Sequence, residues 1–165
     1  MTRDMFIDYE KNKGFWIEER FTEVLSYYVC LIFEKRGLED KPEWYLEVYD
    51  DFLTITHGYN SGIQGFLFED YVNFKEKRER EIISILQDTK VLLQSKGKEI
   101  SPEELDTTES RKIHSDFVNE WPIPIQTKSL ITVLNFMIQL FEHKWEKNRE
   151  VWFEGYPHPD NADVI

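Results

Sequence analysis

The chain has 165 residues, a formal net charge of −12 and a single cysteine. The acidic balance argues against binding to nucleic acid or an anionic membrane, because phosphate contacts need a basic face. One cysteine excludes an internal disulfide bond, and the length is typical of one domain. We therefore expect a single domain over 1–165, with 1–13 and 156–165 as flexible termini.

The N-terminal segment points to the cytoplasm. Residues 1–13 are rich in charge and leave no room for the apolar part of a signal peptide. The most apolar windows, 27–33 and 130–141, are shorter than the roughly 20 residues that span a bilayer. Cys30 lies inside the first window, where a buried space-filling role is favoured over a nucleophilic one. We expect a cytoplasmic protein without a membrane partner.

Two helices are predicted in the first third of the chain. The first covers about 15–36, with apolar residues at helical spacing, and ends at Gly37. The second covers about 42–57. Asp40 provides its cap, its first turn carries a proline, and Gly58 ends it.

The segment 59–72 is the least regular part of the sequence. Its glycines allow tight turns, and the apolar run 65–68 fits a strand fragment, a helical turn or a loop on the core. A third helix is predicted over 74–96, starting at a capping box of Asn73 and Glu76.

Two further helices are predicted in the C-terminal half. Ser101, followed by a proline and two glutamates, starts a helix that reaches about Glu120. The prolines in 121–125 require an extended segment. The stretch Thr127 to Glu154 is apolar around most of a helix, so it is predicted to be long, central and mostly buried. These elements predict an all-α bundle of about five helices.

No motif for catalysis, metal binding or nucleotide binding stands out. The four histidines lack the spacing of zinc or di-iron ligands, and the glycines after His57 lack a nucleotide fingerprint. Adjacent carboxylates such as Asp50 and Asp51 are typical of an exposed face. We therefore expect no metal, no cofactor and no enzymatic activity.

The most distinctive feature is a line of acids on the second helix. Glu43, Glu47, Asp50 and Asp51 share one face beside Trp44, and neither Lys nor Arg occurs between Lys41 and Lys75. Such a face is either a solubilising surface or a docking surface for a basic protein. The candidate partner-binding residues are Glu43, Trp44, Glu47, Asp50, Asp51, Tyr59, Glu69 and Asp70.

The sequence therefore favours protein binding over catalysis. Small acidic cytoplasmic proteins include immunity proteins that neutralise a basic bacterial toxin, for example a nuclease, and this hypothesis fits the size and charge. One alternative is a small enzyme or ligand-binding bundle that uses His57, Tyr59 and the glycines after them. Another is a structural subunit that self-associates through the aromatic residues Trp152, Phe153 and Tyr156.

Overall fold

The fold is α/β, so the prediction of an all-α bundle is wrong. The computed structural model describes residues 4–58, 65–113 and 118–165. In these ranges, helices α1 to α6 span Glu19–Arg36, Glu43–Thr56, Phe68–Val72, Glu76–Gln94, Pro102–Glu109 and Thr127–Phe141. Strands β1 to β6 span Asp4–Asp8, Gly14–Glu18, Glu99–Ile100, Ile125–Gln126, Arg149–Trp152 and Asp163–Val164.

Four of the strands form a mixed sheet in the order β1-β2-β5-β6. Strands β1 and β2 form an antiparallel hairpin, whereas β2 with β5 and β5 with β6 pair in parallel. Strands β3 and β4 form a separate antiparallel ladder just before α5 and α6. The sheet thus joins the two ends of the described chain.

The N-terminal hairpin replaces the predicted lead-in and the first turn of the predicted first helix. Met5 and Ile7 are buried and alternate with more exposed neighbours in β1, and in β2 the exposed Trp16 lies between the buried Phe15 and Ile17. This spacing of two is the mark of a strand. Asn12, at φ 65°, helps the chain reverse between the strands. Helix α1 consequently begins only at Glu19.

The predicted long helix ends after α6, at Phe141. The residues 142–148 that follow contain one apolar side chain, Trp145, and His143 breaks the helix with a φ of 60°. Further on, Val151 and Phe153 are buried while Glu150 is exposed, which is strand spacing. Aromatic residues at helical spacing had hidden this change of period. Helix α6 itself is buried along most of its length.

One face of the sheet packs against the helices. The Phe15 ring of β2 lies 5.6 Å from that of Phe136 in α6, measured between centroids. Phe21 of α1 stacks on Phe153 at 3.9 Å, and Tyr156 packs edge-on against it at 4.9 Å. The segment 156–165, predicted as a flexible tail, therefore contributes Tyr156 to the core.

Several local predictions are confirmed. Gly37, Gly58 and Gly97 each follow a helix with a φ between 80° and 88°, as a helix end favours. The Ser101 side chain accepts a hydrogen bond from the Glu104 backbone N–H at 3.2 Å. The helix that Ser101 caps is shorter than predicted, because α5 ends at Glu109. No helix in the described part of the chain combines the length and apolar character needed to cross a bilayer.

Candidate functional site

Helix α2 presents the predicted line of acids on its solvent side. Its buried side is formed by Tyr45, Val48, Phe52 and Ile55. On the other side Glu43 and Asp50 are exposed, and Glu47 and Asp51 are partly exposed. The 3.6-residue period of the helix thus separates the apolar residues from the carboxylates, as the sequence predicted.

The short helix α3 adds acids to this side of α2. The Asp51 Oδ2 atom accepts a hydrogen bond from the Leu67 backbone N–H at 2.8 Å, which holds the start of α3 against α2. Glu69 and Asp70 follow in the first turn of α3, and both are exposed. We call this set the α2–α3 acidic surface; it comprises Glu43, Glu47, Asp50, Asp51, Glu69 and Asp70.

The acids of the two helices affect each other electrostatically. Burial raises the pKa of Asp51 to about 6, and the charges of Asp50, Glu47 and Asp70 add to the rise. The hydrogen bond from Leu67 acts in the opposite direction. The pKa of Tyr71 is likewise raised by burial and then by these same carboxylates. The carboxylates of α2 and α3 therefore converge around Asp51 and Tyr71.

The negative charge continues from α3 towards the N-terminal hairpin. Burial raises the pKa of Asp8, at the end of β1, and the charge of Glu69 raises it further. Asp8 therefore lies close to the α2–α3 acidic surface although it is far away in sequence. Sequence reasoning missed this residue because it placed 1–13 in a flexible lead-in.

The acidic surface is only lightly compensated by the protein's own cations. Within the described ranges, no lysine or arginine forms an ion pair with a member of the α2–α3 acidic surface. However, Arg78 from α4 lies over the Trp44 ring at 5.2 Å and donates to the Tyr71 carbonyl oxygen at 2.7 Å. Trp44 therefore already has a cationic neighbour, which the gap in basic residues between Lys41 and Lys75 did not reveal.

The alternative site around His57 is only partly described. Tyr59, a predicted binding residue, lies outside the described residues together with the rest of 59–64. The carbonyl oxygen of His57 accepts a hydrogen bond from the Ile113 N–H at 3.1 Å. Burial lowers the pKa of the His57 ring, and the positive charge of Arg111 lowers it further.

A second group of titratable side chains connects the hairpin, α4 and the end of α6. The His143 ring lies 2.7 Å from Glu10 Oε1 through Nδ1 and 2.6 Å from Glu79 Oε2 through Nε2. The hydrogen bonds to Glu10 and Glu79 raise the pKa of His143, although its partial burial opposes the rise. Both ring nitrogens are engaged by carboxylates, so this group is best understood as an ionic clamp between three elements.

Within the described ranges, neither Cys30 nor any group of metal-ligating residues is arranged as a nucleophile or a metal site. Burial raises the pKa of the Cys30 thiol to about 12, so Cys30 is a buried thiol as predicted and not an activated one. Among the residues that the structure describes, no group of three or more His, Cys, Asp or Glu is arranged to hold a metal ion.

Comparison with protein-family models, curated proteins and solved structures finds no match to this chain.

Proposed function

We propose that this protein binds a basic protein partner through the α2–α3 acidic surface. The observation that carries the proposal is the convergence of the α2 and α3 carboxylates around Asp51, whose Oδ2 atom accepts a hydrogen bond from the Leu67 N–H at 2.8 Å. Burial and three neighbouring carboxylates raise its pKa to about 6, and no described lysine or arginine is paired with it. A chain that keeps like charges together in this way gives up stability, which a cationic partner would restore.

The chemistry of the surface defines the partner. Lysine and arginine side chains would relieve the repulsion between the carboxylates, and the acidic field would accelerate their approach. Such a complex is expected to form quickly and to weaken as the salt concentration rises. The immunity-protein hypothesis is a narrower form of the same proposal, with a basic toxin as the partner, and it stays a prediction.

A capture experiment with charge-reversal variants tests the proposal. The bait is Glu47→Lys/Asp50→Lys, compared with the wild-type chain and with Asp106→Lys/Glu120→Lys. The control pair lies on exposed positions of α5 and of the segment after it and changes the net charge equally. We expect basic proteins from the native cell to be retained by the wild type and the control, and to be lost from the α2 variant.

Affinity measurements on a captured partner complete the test. Isothermal titration at two salt concentrations should show weaker binding at the higher one, and the α2 double variant should bind at least roughly tenfold more weakly than the control. If the Glu47→Lys/Asp50→Lys variant binds as tightly as the wild type and the control do, the α2–α3 acidic surface is not the binding site.

Two of the three aromatic residues proposed for self-association, Phe153 and Tyr156, are buried. Phe153 and Tyr156 are 1% and 6% exposed, and both pack on Phe21 inside the protein's own core. They are therefore not available for self-association. Trp152 remains partly exposed, on the outer face of the sheet.

A further inference from the structure

We infer that the outer face of the four-stranded sheet is a second interaction surface, which takes an arginine-bearing segment of a protein partner. The sheet-face surface is defined by Asp4, Phe6, Trp16, Glu18, Glu150 and Trp152. It is distinct from the α2–α3 acidic surface, and either can be disproved without the other.

The strand register places aromatic side chains together on this face. Phe6 pairs with Trp16 across the hairpin, and Trp16 pairs with Glu150 on the next strand. The Phe6 and Trp16 rings lie 4.9 Å apart between centroids. Their neighbours Phe15 and Ile17 point to the core, so Trp16 must point away from it, and it is 45% exposed. An exposed tryptophan in an apolar patch is a typical anchor at protein interfaces.

The same face carries negative charge. Burial raises the pKa of Asp4, and the charge of Glu150 raises it further, so these two carboxylates lie near one another. Burial also raises the pKa of Glu18, and the charge of Asp4 contributes in the same direction. Three carboxylates from three strands therefore surround the aromatic pair.

The nearby arginines leave this charge only partly balanced. Arg20 forms an ion pair with Glu18 and lies over the Tyr156 ring at 4.6 Å. Arg149 lies over the Phe136 ring at 4.8 Å and bonds Asp163 at 2.8 Å, so it belongs to the core side of β5. Asp4 and Glu150 have no ion pair among the described residues.

A cleft of about 300 Å³ opens at one end of this face. Its lining is formed by Glu18, Arg20, Trp152, Pro157, His158 and Pro159. The Glu18 side chain is only 3% exposed, and the Trp152 indole N–H donates to Glu150 Oε1 at 3.2 Å, which orients the ring. Arg20 also lines the cleft and already pairs with Glu18, so a cationic side chain of a partner would lie against the Trp152 ring and beside Glu150.

Charge complementarity selects the occupant. A second copy of the chain on this face would bring two sets of carboxylates together, and a nucleic acid would add phosphates to them. A basic protein segment avoids both conflicts. Arginine fits better than lysine because its planar guanidinium both stacks on tryptophan and forms paired hydrogen bonds with a carboxylate.

A titration with a short peptide probe tests this inference on the full chain. The probe is acetyl-Gly-Arg-Gly-Arg-Gly-amide, and its control replaces both arginines with citrulline, which has a similar shape but no charge. Two-dimensional ¹⁵N NMR follows the backbone and the indole N–H groups. We expect the arginine peptide to shift the signals of Trp16, Trp152 and Glu150, and the citrulline peptide to leave them in place.

Three variants make the result specific. Glu150→Lys should weaken the response at Trp16, whereas Asp106→Lys, with the same charge change on α5, should not. Trp16→Val keeps a strand-forming residue and should weaken binding about two- to fivefold, the effect of losing one exposed cation–π contact. Urea unfolding of each variant checks that the hairpin stays folded. If Trp16→Val does not fold, the response of the Glu150→Lys variant alone tests the inference.

The possible outcomes are separable. Shifts confined to Glu47, Asp50 and Asp70 would overturn the sheet-face inference and leave the proposed function intact. Shifts confined to the sheet face would support the inference and count against the α2–α3 acidic surface. Equal effects of the two peptides, or no shift on the sheet, would overturn the inference.

Discussion

Asp51 Oδ2 accepts a hydrogen bond from the backbone N–H of Leu67 at 2.8 Å, and this contact joins α2 to the start of α3. Leu67 is the residue before α3, and that helix has no side-chain cap of its own. A distant carboxylate thus satisfies a backbone donor that the local sequence leaves open. The same carboxylate lies at the centre of the α2–α3 acidic surface. Asp51 therefore both holds α3 against α2 and contributes to the negative charge of that surface.

Replacing Asp51 with Asn should stabilise the protein at neutral pH. Asn keeps an acceptor for the Leu67 N–H, but removes a charge that burial and its neighbours disfavour. A folded pKa of about 6 against an ordinary 3.8 means that this group's contribution to stability is greatest below pH 4 and is lost as the pH rises through 6. We expect Asp51→Asn to gain about 1 kcal/mol at pH 7, since solvent screening reduces the effect.

Urea unfolding of both proteins between pH 4 and pH 7 checks this prediction. The gain should shrink towards zero at the acidic end. Parallel pH profiles for the two proteins would show that Asp51 titrates normally in the folded state.

Charge reversal on α2 should raise stability while it reduces partner binding. Glu47 and Asp50 both raise the pKa of Asp51, so a lysine at either position replaces repulsion with attraction. We expect Glu47→Lys or Asp50→Lys to gain about 0.3–0.5 kcal/mol at low salt, and less at high salt. Thermal unfolding at both salt concentrations measures the change. A loss of stability would mean that these acids make favourable contacts in the folded chain.

The His143 clamp should make stability depend on pH above the ordinary histidine pKa of 6.5. Glu10 and Glu79 can both accept a hydrogen bond from the His143 ring only when both ring nitrogens carry a proton. Lys13 pairs with Glu10, and Tyr9 lies near both carboxylates. A raised folded pKa means that this stabilisation is complete below the ordinary value of 6.5 and is lost as the pH rises through the folded value. We expect His143→Gln to cost about 1 kcal/mol near pH 6, because charged hydrogen bonds at a partly exposed site are lost.

Urea unfolding from about pH 6 to pH 9 measures the cost, and NMR titration of the ring gives the folded pKa directly. The difference between the two proteins should narrow as the pH rises. A constant difference across this range would show that the ring acts by packing alone.

Lys112 should be critical for folding. Its Nζ atom lies 2.7 Å from Glu23 Oε2 and 2.6 Å from Glu109 Oε2, and its side chain is 2% exposed. Lys112→Met would leave two buried carboxylates without this cation, and we expect a loss of roughly 3–5 kcal/mol at pH 7. Denaturant unfolding measures it. Adding Glu23→Gln should recover part of the loss, and a loss below about 1 kcal/mol would contradict the role of this buried group.

Local signals in the sequence predicted the helices well where tertiary contacts did not compete with them. The predicted helix 42–57 is observed as Glu43–Thr56, and the predicted cap at Ser101 is present. The predicted caps at Asp40 and Asn73 are wrong, because α2 and α4 start after Pro42 and Lys75 without a side-chain cap. A helix closes its hydrogen bonds within four residues and shows its buried side as a 3.6-residue period, so both features can be read from a short stretch. The shared face of Glu47, Asp50 and Asp51 followed from the same rule.

The sheet was missed because its pairing joins distant segments. Trp16 pairs with Glu150, and the sequence around one of these residues carries no signal for its pairing with the other. The sequences of β1, Asp4–Asp8, and β5, Arg149–Trp152, do not alternate polar and apolar residues, so β1 was predicted as a lead-in and β5 as part of the long helix. The cationic neighbour of Trp44 and the link between Glu69 and Asp8 were missed for the same reason.

The sequence by itself determined the acidic character of the protein, the amphipathic face of α2 and several helix ends, because these depend on composition and on residues within one or two turns. Only the tertiary structure decided that the termini form a sheet, that α3 joins the acids of α2, and that Trp16 faces outward among carboxylates. Strand pairing and the surroundings of a charge depend on residues that the chain brings together only when it folds.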